Sequence, residues 1–249
     1  MLKIENVEVT GWEHAIRGMR NPMNSWDKSD SDWNFDCIED PETFYTYKTK
    51  DEYEIGPNDK KLMMSLCNAG TDHRKFMRYI IVYLDITAPL YWWKEFETYR
   101  AGVFPGQEPI NPMDIETNSC STMHTIHKKE FDISDFSTEH LITGPDSPLE
   151  LMHDTIAMLN TMRKFYLETK DKKYWWQMIQ LLPSSYNQKR TVMCNYEVLC
   201  NIYKSRRTHK LDCWHTLCDW METLPMSELI TGEEQKLEFA DQPGLALGA

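Results

Sequence analysis

The chain has 249 residues, 41% hydrophobic and 12% aromatic, so it is long enough to bury a sizeable core. Its formal net charge of −12 argues against non-specific binding to nucleic acid, because that binding requires clustered lysines and arginines that displace counterions. A small anionic ligand held by a few local arginines is still compatible with this charge.

The cysteines and the amino-terminal sequence indicate in which cellular compartment the protein is expected. The seven cysteines are odd in number and include no Cys-x-x-Cys motif, which argues against a disulfide framework or a zinc site. The amino terminus has no basic start followed by an apolar run, and no apolar stretch approaches membrane-spanning length. We therefore expect a soluble, cytoplasmic protein with reduced thiols and no membrane partner.

The first elements follow the spacing of apolar residues. Residues 2–9 alternate apolar and polar side chains and predict a strand, and residues 11–22 predict a short helix. Residues 25–54 are rich in Asp, Ser, Tyr and Trp without helical spacing, so we expect an irregular, solvated segment. Residues 57–70 predict a helix that begins at a proline and ends at a glycine.

The middle of the chain combines a strand, a helix and a proline-rich loop. Residues 78–86 are strongly β-prone, and residues 90–100 predict a helix with aromatic side chains and Arg100 on one face. The loop over residues 103–116 contains three prolines and cannot continue that helix. We expect residues 118–131 to resume ordered structure as a strand.

The carboxyl-terminal half is predicted to be helical, and the acidic end is predicted to be a flexible tail over residues 231–249. The predicted helices span residues 147–169, 171–183, 190–207 and 211–225. Within the third of them, Asn195, Asn201 and Arg206 interrupt an apolar pattern. Eleven residues make about three helical turns, so Asn195 and Arg206 would share a face. These polar side chains serve either a ligand or only the caps of neighbouring helices and water.

The sequence contains little that indicates catalysis by a protein nucleophile. It has no Gly-rich phosphate loop, no Gly-x-Ser-x-Gly elbow and no Cys-His signature. His124 and His127 lack nearby acidic or thiolate ligands, so we expect surface or structural histidines and no metal site. The tryptophan pairs at 92–93 and 175–176 are typical of a core, and we expect one ring of each pair to face inward.

Three segments resemble the signature regions of the flavin-dependent thymidylate synthases. In that family a histidine is followed by a strand, an Ala/Val-Pro step and an aromatic-rich helix that ends in Arg-His-Arg. This pattern runs from His73 to Arg100 without a gap, and Thr98-Tyr99-Arg100 falls on the triplet. The family's Asn-Glu-x-Ser-x-Arg-Tyr falls on residues 118–124. A Leu-Pro step followed by Asn-x-Arg, Asn and Arg matches Leu182, Pro183, Asn195, Asn201 and Arg206.

The resemblance implies a fold, an activity and a set of site residues. The fold would be α/β (α+β), with a central, mostly antiparallel sheet flanked by helices, over a single domain of residues 1–230. The activity would be thymidylate synthesis, the reductive methylation of dUMP at C5 by a flavoprotein that uses FAD, NADPH and methylenetetrahydrofolate. The family is homotetrameric, with sites at subunit interfaces. The implied flavin contacts are His73, Arg100, Asn195 and Asn201, and the implied dUMP contacts are Ser121 and Arg206.

Departures from the family pattern keep two alternatives open. The family residues are missing at Thr98, Tyr99, Ser119, Met123, Ile179 and Glu197. A charged contact to phosphate contributes about 1.5–3 kcal/mol, so the lost arginines must be replaced, with Arg190, Lys189, Arg17 and Arg20 as candidates. Glu197 would repel a phosphate. The alternatives are a catalytically inactive nucleotide- or partner-binding protein of the same fold and a structural protein with an aromatic core.

Overall fold

The computed structural model describes residues 2–39, 46–100 and 115–232. Its central sheet has four strands, all antiparallel to their neighbours. In spatial order they are β1 (Lys3–Thr10), β4 (Ile81–Pro89), β6 (Asn187–Asn195) and β5 (Ile115–Ser119). Helices flank this sheet, so the predicted α/β architecture with a central antiparallel sheet is confirmed.

The helices are concentrated in the second half of the chain, as predicted. In chain order they are α1 (Trp12–Arg20), α2 (Pro57–Asn68), α3 (Leu90–Arg100), α4 (Thr122–Thr125), α5 (Pro148–Thr169), α6 (Lys172–Leu181), α7 (Tyr196–Arg206), α8 (Asp212–Met221) and α9 (Glu228–Thr231). The Ser147 side chain accepts the Glu150 amide at the start of α5, and Asp171 caps α6 in the same way. None of the helices in the described ranges is long and apolar enough to cross a membrane.

The prediction of an irregular segment over residues 25–54 is wrong. It contains a separate two-stranded antiparallel ribbon, β2 (Asp32–Glu39) and β3 (Thr46–Glu54). The acidic composition excluded a helix, but it does not prevent a ribbon whose two strands are stabilised by cross-strand pairs. One such pair is Trp33 and Tyr53, whose ring centroids lie 5.2 Å apart.

The predicted helix over residues 190–207 is wrong in its first third. β6 continues to Asn195, and α7 begins only at the next residue. The run from Arg190 to Cys194 alternates outward and inward side chains, with Val192 and Cys194 buried, and it pairs with β4 along its whole length. The predicted strand over residues 118–131 is likewise wrong, since β5 ends at Ser119 and the short helix α4 follows.

Two groups of buried apolar side chains form the core. The larger lies around the sheet, where Val82, Leu84, Ile86 and Ala88 of β4 are buried at every second position. The smaller packs α5 and α6 against the segment around Phe131. Residues 233–249, which include most of the predicted tail, and residues 101–114 of the proline-rich loop lie outside the described ranges.

The two tryptophan pairs differ in burial. Trp92 and Trp93 are 0% and 1% exposed, so the expectation that one ring faces outward is wrong for that pair. Both rings fit inside because Trp92 also packs against Phe96 and against α8. In the other pair the ring of Trp176 is exposed while Trp175 packs against the smaller core group, as expected.

Gly11 joins β1 to α1 in a conformation that few residues adopt, and replacing it should be costly. Its φ is +94°, and a Cβ placed there would lie 1.9 Å from the Tyr79 carbonyl oxygen. We expect Gly11→Ala to lower the free energy of unfolding by about 2–3 kcal/mol, through left-handed strain and the backbone clash. Gly70 is the matched control, because its φ is +107° but nothing lies within 4 Å of the added Cβ. Equal losses in urea unfolding of the two variants would show that the clash is absent.

Candidate functional site

The candidate site is built on α3 and α7, each of which follows directly from a central strand. β4 and β6 are antiparallel neighbours, with Ile81 opposite Asn195 and Pro89 opposite Asn187. α3 and α7 therefore begin at opposite ends of the strand pair. The last residue of α7, Arg206, reaches back to side chains of α3.

The first group of polar side chains surrounds Arg74, and we call it the Arg74 cluster. The Arg74 guanidinium contacts Glu197 through Nε at 2.8 Å from Oε2 and through Nη2 at 3.0 Å from Oε1. Nη2 also donates to Oδ1 of Asn201 at 3.1 Å, and Nη1 contacts Cys200 Sγ at 3.4 Å. The side chains of Arg74 and Glu197 are only 7% and 10% exposed. The cluster therefore holds a buried, two-point ion pair with an amide attached to it.

The sequence suggested that Glu197 faces a phosphate position, but its carboxylate is instead paired with Arg74. Burial by itself would lower the pKa of Arg74, but the hydrogen bond and charge of Glu197 outweigh burial and raise that pKa. Arg74 thus stays charged and neutralises Glu197. The expectation that Glu197 repels an anion is therefore wrong, because Glu197 and Arg74 together form a pair with no net charge.

Of the other predicted flavin residues, His73 and Asn195 lie close to residues of this cluster along the chain, whereas Arg100 ends α3. His73 directly precedes Arg74 and its side chain is exposed. Asn195 is 4% exposed and caps α7, because its Oδ1 accepts the Val198 amide at 3.0 Å. It therefore does not share a helical face with Arg206. Arg100 is the last residue of α3, and its side chain lies outside the described part of the structure.

A second group, which we call the Glu95 cluster, holds Arg206. Arg206 Nε donates to the Tyr99 hydroxyl at 2.7 Å, and Nη1 donates to Glu95 Oε2 at 3.2 Å. The same carboxylate oxygen accepts Nε1 of Trp214 at 2.9 Å, and the guanidinium carbon lies 4.6 Å from the centroid of that indole. Tyr99, which stands at a histidine of the family triplet, therefore orients Arg206. Within the described residues, Nη2 of Arg206 has no hydrogen-bond partner.

Arg190 and Ser121 lie along the β5 side of the sheet. Arg190 is paired with Ser119 across the β5–β6 ladder, so Ser121 follows two residues beyond that pair. Arg190 Nε donates to Gln188 Oε1 at 2.9 Å, and Arg190 Nη1 donates a hydrogen bond to Glu97. The guanidinium carbon of Arg190 lies 4.3 Å from the Trp93 ring centroid. Ser121 is exposed and precedes α4.

The other candidate replacement cations differ in availability. Arg20 is buried and donates to Asp59, so its proposal as a phosphate ligand is wrong. Lys189 lies near Asp85 and Glu5 on the exposed strand surface. Arg17 is exposed on α1. Arg190 is therefore the candidate that lies beside the predicted site.

Sequence reasoning missed the acidic and basic partners of the predicted residues. Arg74, Glu95 and Glu97 were not singled out, although each pairs with a residue at or beside a family position. For Arg74 the available signal was its position directly after His73. For Glu95 and Glu97 it was the occurrence of two carboxylates inside an aromatic helix. In the described ranges no group of three His, Cys, Asp or Glu side chains is placed to hold a metal ion.

Comparison with solved structures identifies the fold. Thymidylate synthase X (ThyX) from Helicobacter pylori with FAD and dUMP superposes with a TM-score of 0.60 at 14% identity, over 93% of this chain and 97% of that chain. The fold is that of ThyX. A second ThyX structure from the same organism, complexed with FAD and dUMP, gives 0.57 at 16% identity over 91% and 97% of the two chains.

The ThyX fold is also shared with another nucleotide-modifying protein. The UMP/dUMP methylase PolB from Streptomyces cacaoi, bound with 5-Br UMP, superposes with a TM-score of 0.54 at 12% identity, over 90% of this chain and 88% of that chain. No family model matches the sequence, and no curated protein matches it by sequence. At 12–16% identity these similarities describe the fold alone.

Proposed function

We propose that the protein is a divergent flavin-dependent thymidylate synthase, which methylates dUMP reductively at C5 with methylenetetrahydrofolate and a nicotinamide reductant. The observation that carries this proposal is the placement of Asn201 and Arg206 on one helix, α7, each tied to a second element of a ThyX-like fold. Structural neighbours with this fold contain FAD and dUMP, and one is a dUMP methylase.

The residues around the Arg74 cluster fit the polar edge of a flavin. Oδ1 of Asn201 accepts from Arg74, which leaves its amide nitrogen as a donor with no partner in the described ranges. His73 supplies an exposed imidazole, and we propose Arg100 and Asn195 as the further contacts that the family resemblance implies. When bound, FAD would supply the redox chemistry, while these side chains bind and orient it.

The Glu95 cluster and its surroundings fit a nucleotide phosphate. Arg206 is held in place by Tyr99 and keeps Nη2 available, and we propose that Arg190 and Ser121 complete the contacts to dUMP. Glu95 and Glu97 already accept from these arginines, so a phosphate has to compete with carboxylates of the same chain. We therefore expect dUMP to bind more weakly than it would to unpaired arginines.

The alternative is a catalytically inactive nucleotide- or partner-binding protein with the same fold. It is favoured by the intramolecular pairing of Arg74, Arg190 and Arg206, each with a glutamate of this chain. Such pairing stabilises the arginines without a ligand. The two functions differ in turnover rather than in fold.

Self-association belongs to the same proposal. We propose that residues 1–230 form one functional domain that assembles as a homotetramer in the cytoplasm. Supporting this, Leu151, Met158 and Phe165 are exposed at intervals of seven residues along α5, so they line one face of a 22-residue helix. A second copy of the chain would cover that face, and sedimentation equilibrium measures the assembly.

The decisive experiment for activity is a complete reaction. The purified protein is incubated with FAD, NADPH, methylenetetrahydrofolate and dUMP, and the product is identified by mass spectrometry. The proposed enzyme forms dTMP only when every component is present. A protein that binds dUMP and FAD but forms no dTMP would support the binding-protein alternative.

Arg206 should contribute directly to nucleotide binding. We expect Arg206→Ala to raise the Kd for dUMP by about 10- to 100-fold, because a charged hydrogen bond to phosphate contributes about 1.5–3 kcal/mol. The neighbouring Arg207 is a matched control, since it is 41% exposed and pairs with Asp219 instead. Isothermal titration of both variants with dUMP gives the comparison. Equal affinities for Arg206→Ala and Arg207→Ala would remove Arg206 from the site.

A further inference from the structure

A cavity of about 790 Å³ lies apart from the residues predicted to contact flavin or nucleotide. It lies among the end of β1, the start of α1, the β2–β3 ribbon and the segment at Pro225. None of the predicted flavin or dUMP residues lines it. Its volume is within the range of small-molecule sites in proteins.

Three aromatic side chains line this cavity and are fixed by packing. Trp33 and Tyr53 meet at an interplanar angle of 71°, and Trp12 packs edge-on against Tyr196, the first residue of α7. Trp12, Trp33 and Tyr53 are partly exposed, so they are not fully buried in the core. Each edge-to-face contact fixes the orientation of its rings, while the partial exposure of the three side chains leaves aromatic surface at the cavity.

The charged groups of the lining are almost all negative. Glu8, Glu13 and Glu54 line the cavity, and among the described lining residues there is no lysine or arginine. Oε2 of Glu13 accepts Nε1 of Trp33 at 2.9 Å, and Oε2 of Glu54 accepts the side-chain amide of Asn34 at 3.3 Å. The carboxylates are thus held against the cavity wall by other lining residues.

The state of Tyr53 is consistent with this negative field. Burial, followed by the charges of Asp59, Glu13 and Asp32, raises its pKa to about 12. The hydroxyl therefore stays protonated and adds no further negative charge at neutral pH. A cation in the cavity would meet aromatic side chains and carboxylates together, whereas a phosphate would be repelled.

We propose that this cavity binds a small organic cation through an ammonium group. Aromatic faces with nearby carboxylates are the combination that recognises such groups. An inorganic metal ion fits less well, because no three potential ligands converge there or elsewhere in the described ranges. The proposal adds a second ligand site to the chain and does not depend on flavin or nucleotide binding.

Choline and 3,3-dimethylbutan-1-ol provide the test, since they have the same shape and differ in charge. Isothermal titration should show choline binding with a Kd of about 1 mM or lower and the neutral alcohol binding at least about tenfold more weakly. Trp33→Leu and Glu54→Gln should each weaken choline binding by about threefold or more. Trp33→Leu removes a ring, while Glu54→Gln removes only charge and keeps the side-chain shape.

Two controls lie outside the cavity. Trp26→Leu removes another exposed indole, and Glu168→Gln removes another exposed carboxylate, so neither should change choline binding. Circular dichroism confirms that each variant is folded. The proposal is overturned if the Kd for choline is above about 1 mM, if the neutral alcohol binds equally well, or if the control variants weaken choline binding as much as the cavity variants do.

Discussion

Arg74→Ala should lower the free energy of unfolding by about 3–5 kcal/mol, because it leaves the Glu197 carboxylate buried without its counter-charge. Arg74 contacts both oxygens of Glu197, and the two side chains are only 7% and 10% exposed. Burial makes the remaining charge costly, since water cannot replace the lost guanidinium. Urea unfolding at pH 7 measures the loss.

Two comparisons separate the buried pair from a general effect of losing an arginine. Arg207→Ala removes a pair that is 41% and 63% exposed, so it should cost about 1 kcal/mol or less. Replacing Arg74 and Glu197 together with leucine should recover much of the loss, since no unpaired charge stays buried. If Arg74→Ala costs no more than Arg207→Ala, Arg74 does not form the pair described.

Asp59→Asn should destabilise the protein by a similar amount, about 3–5 kcal/mol. Asp59 is fully buried and accepts Arg20 Nε at 2.6 Å, the hydroxyls of Ser29 and Ser31 at 2.7 Å each, and the Asp30 amide at 3.1 Å. An asparagine has a single acceptor oxygen and no charge, so it leaves Arg20 buried without a counter-ion. Asp219→Asn, at a 63% exposed aspartate, is the control and should change little.

The same aspartate gives a pH dependence with a definite sign. Burial would raise the pKa of Asp59, but the hydrogen bonds from Ser29, Ser31 and Arg20 outweigh it and hold the pKa below its ordinary value. A carboxyl with a lowered pKa stabilises the fold above its unfolded pKa of about 4, and this contribution is lost as pH falls further. Unfolding measured at about pH 7, 5 and 3.5 should therefore show a smaller gap between wild type and Asp59→Asn at the lowest pH. A gap that widens on acidification would contradict the assignment.

Much of the fold could be predicted because local signals and tertiary structure agree. The β-branched run of β4 and the proline before α3 indicated both elements, and the predicted helices starting at residues 147 and 171 match α5 and α6, which Ser147 and Asp171 cap. The errors lie in strands whose formation depends on pairing with other strands. The β2–β3 ribbon depends on contacts across its strands, and β6 depends on its neighbours in the sheet, neither of which local spacing records.

The candidate site was predictable in part for a different reason. Asn195, Asn201 and Arg206 stand out because polar side chains interrupt an apolar pattern. Asn195 is a helix cap, whereas Asn201 and Arg206 join other elements. The carboxylate partners are far away in sequence, so their effect on these arginines emerges only from the fold. Glu197 shows this best, since Arg74 lies 123 residues before it.

The most direct test of the proposed function is the visible absorption spectrum of the purified protein, recorded after loading with FAD and removing the excess. We expect an oxidised-flavin spectrum that stays with the protein and weakens in Asn201→Ala, because we propose the side-chain nitrogen of Asn201 as a donor to the flavin. Asn58→Ala, at an exposed position in α2 outside the family motifs, should leave the spectrum unchanged. A colourless protein that cannot be loaded with FAD would contradict the proposed flavin enzyme.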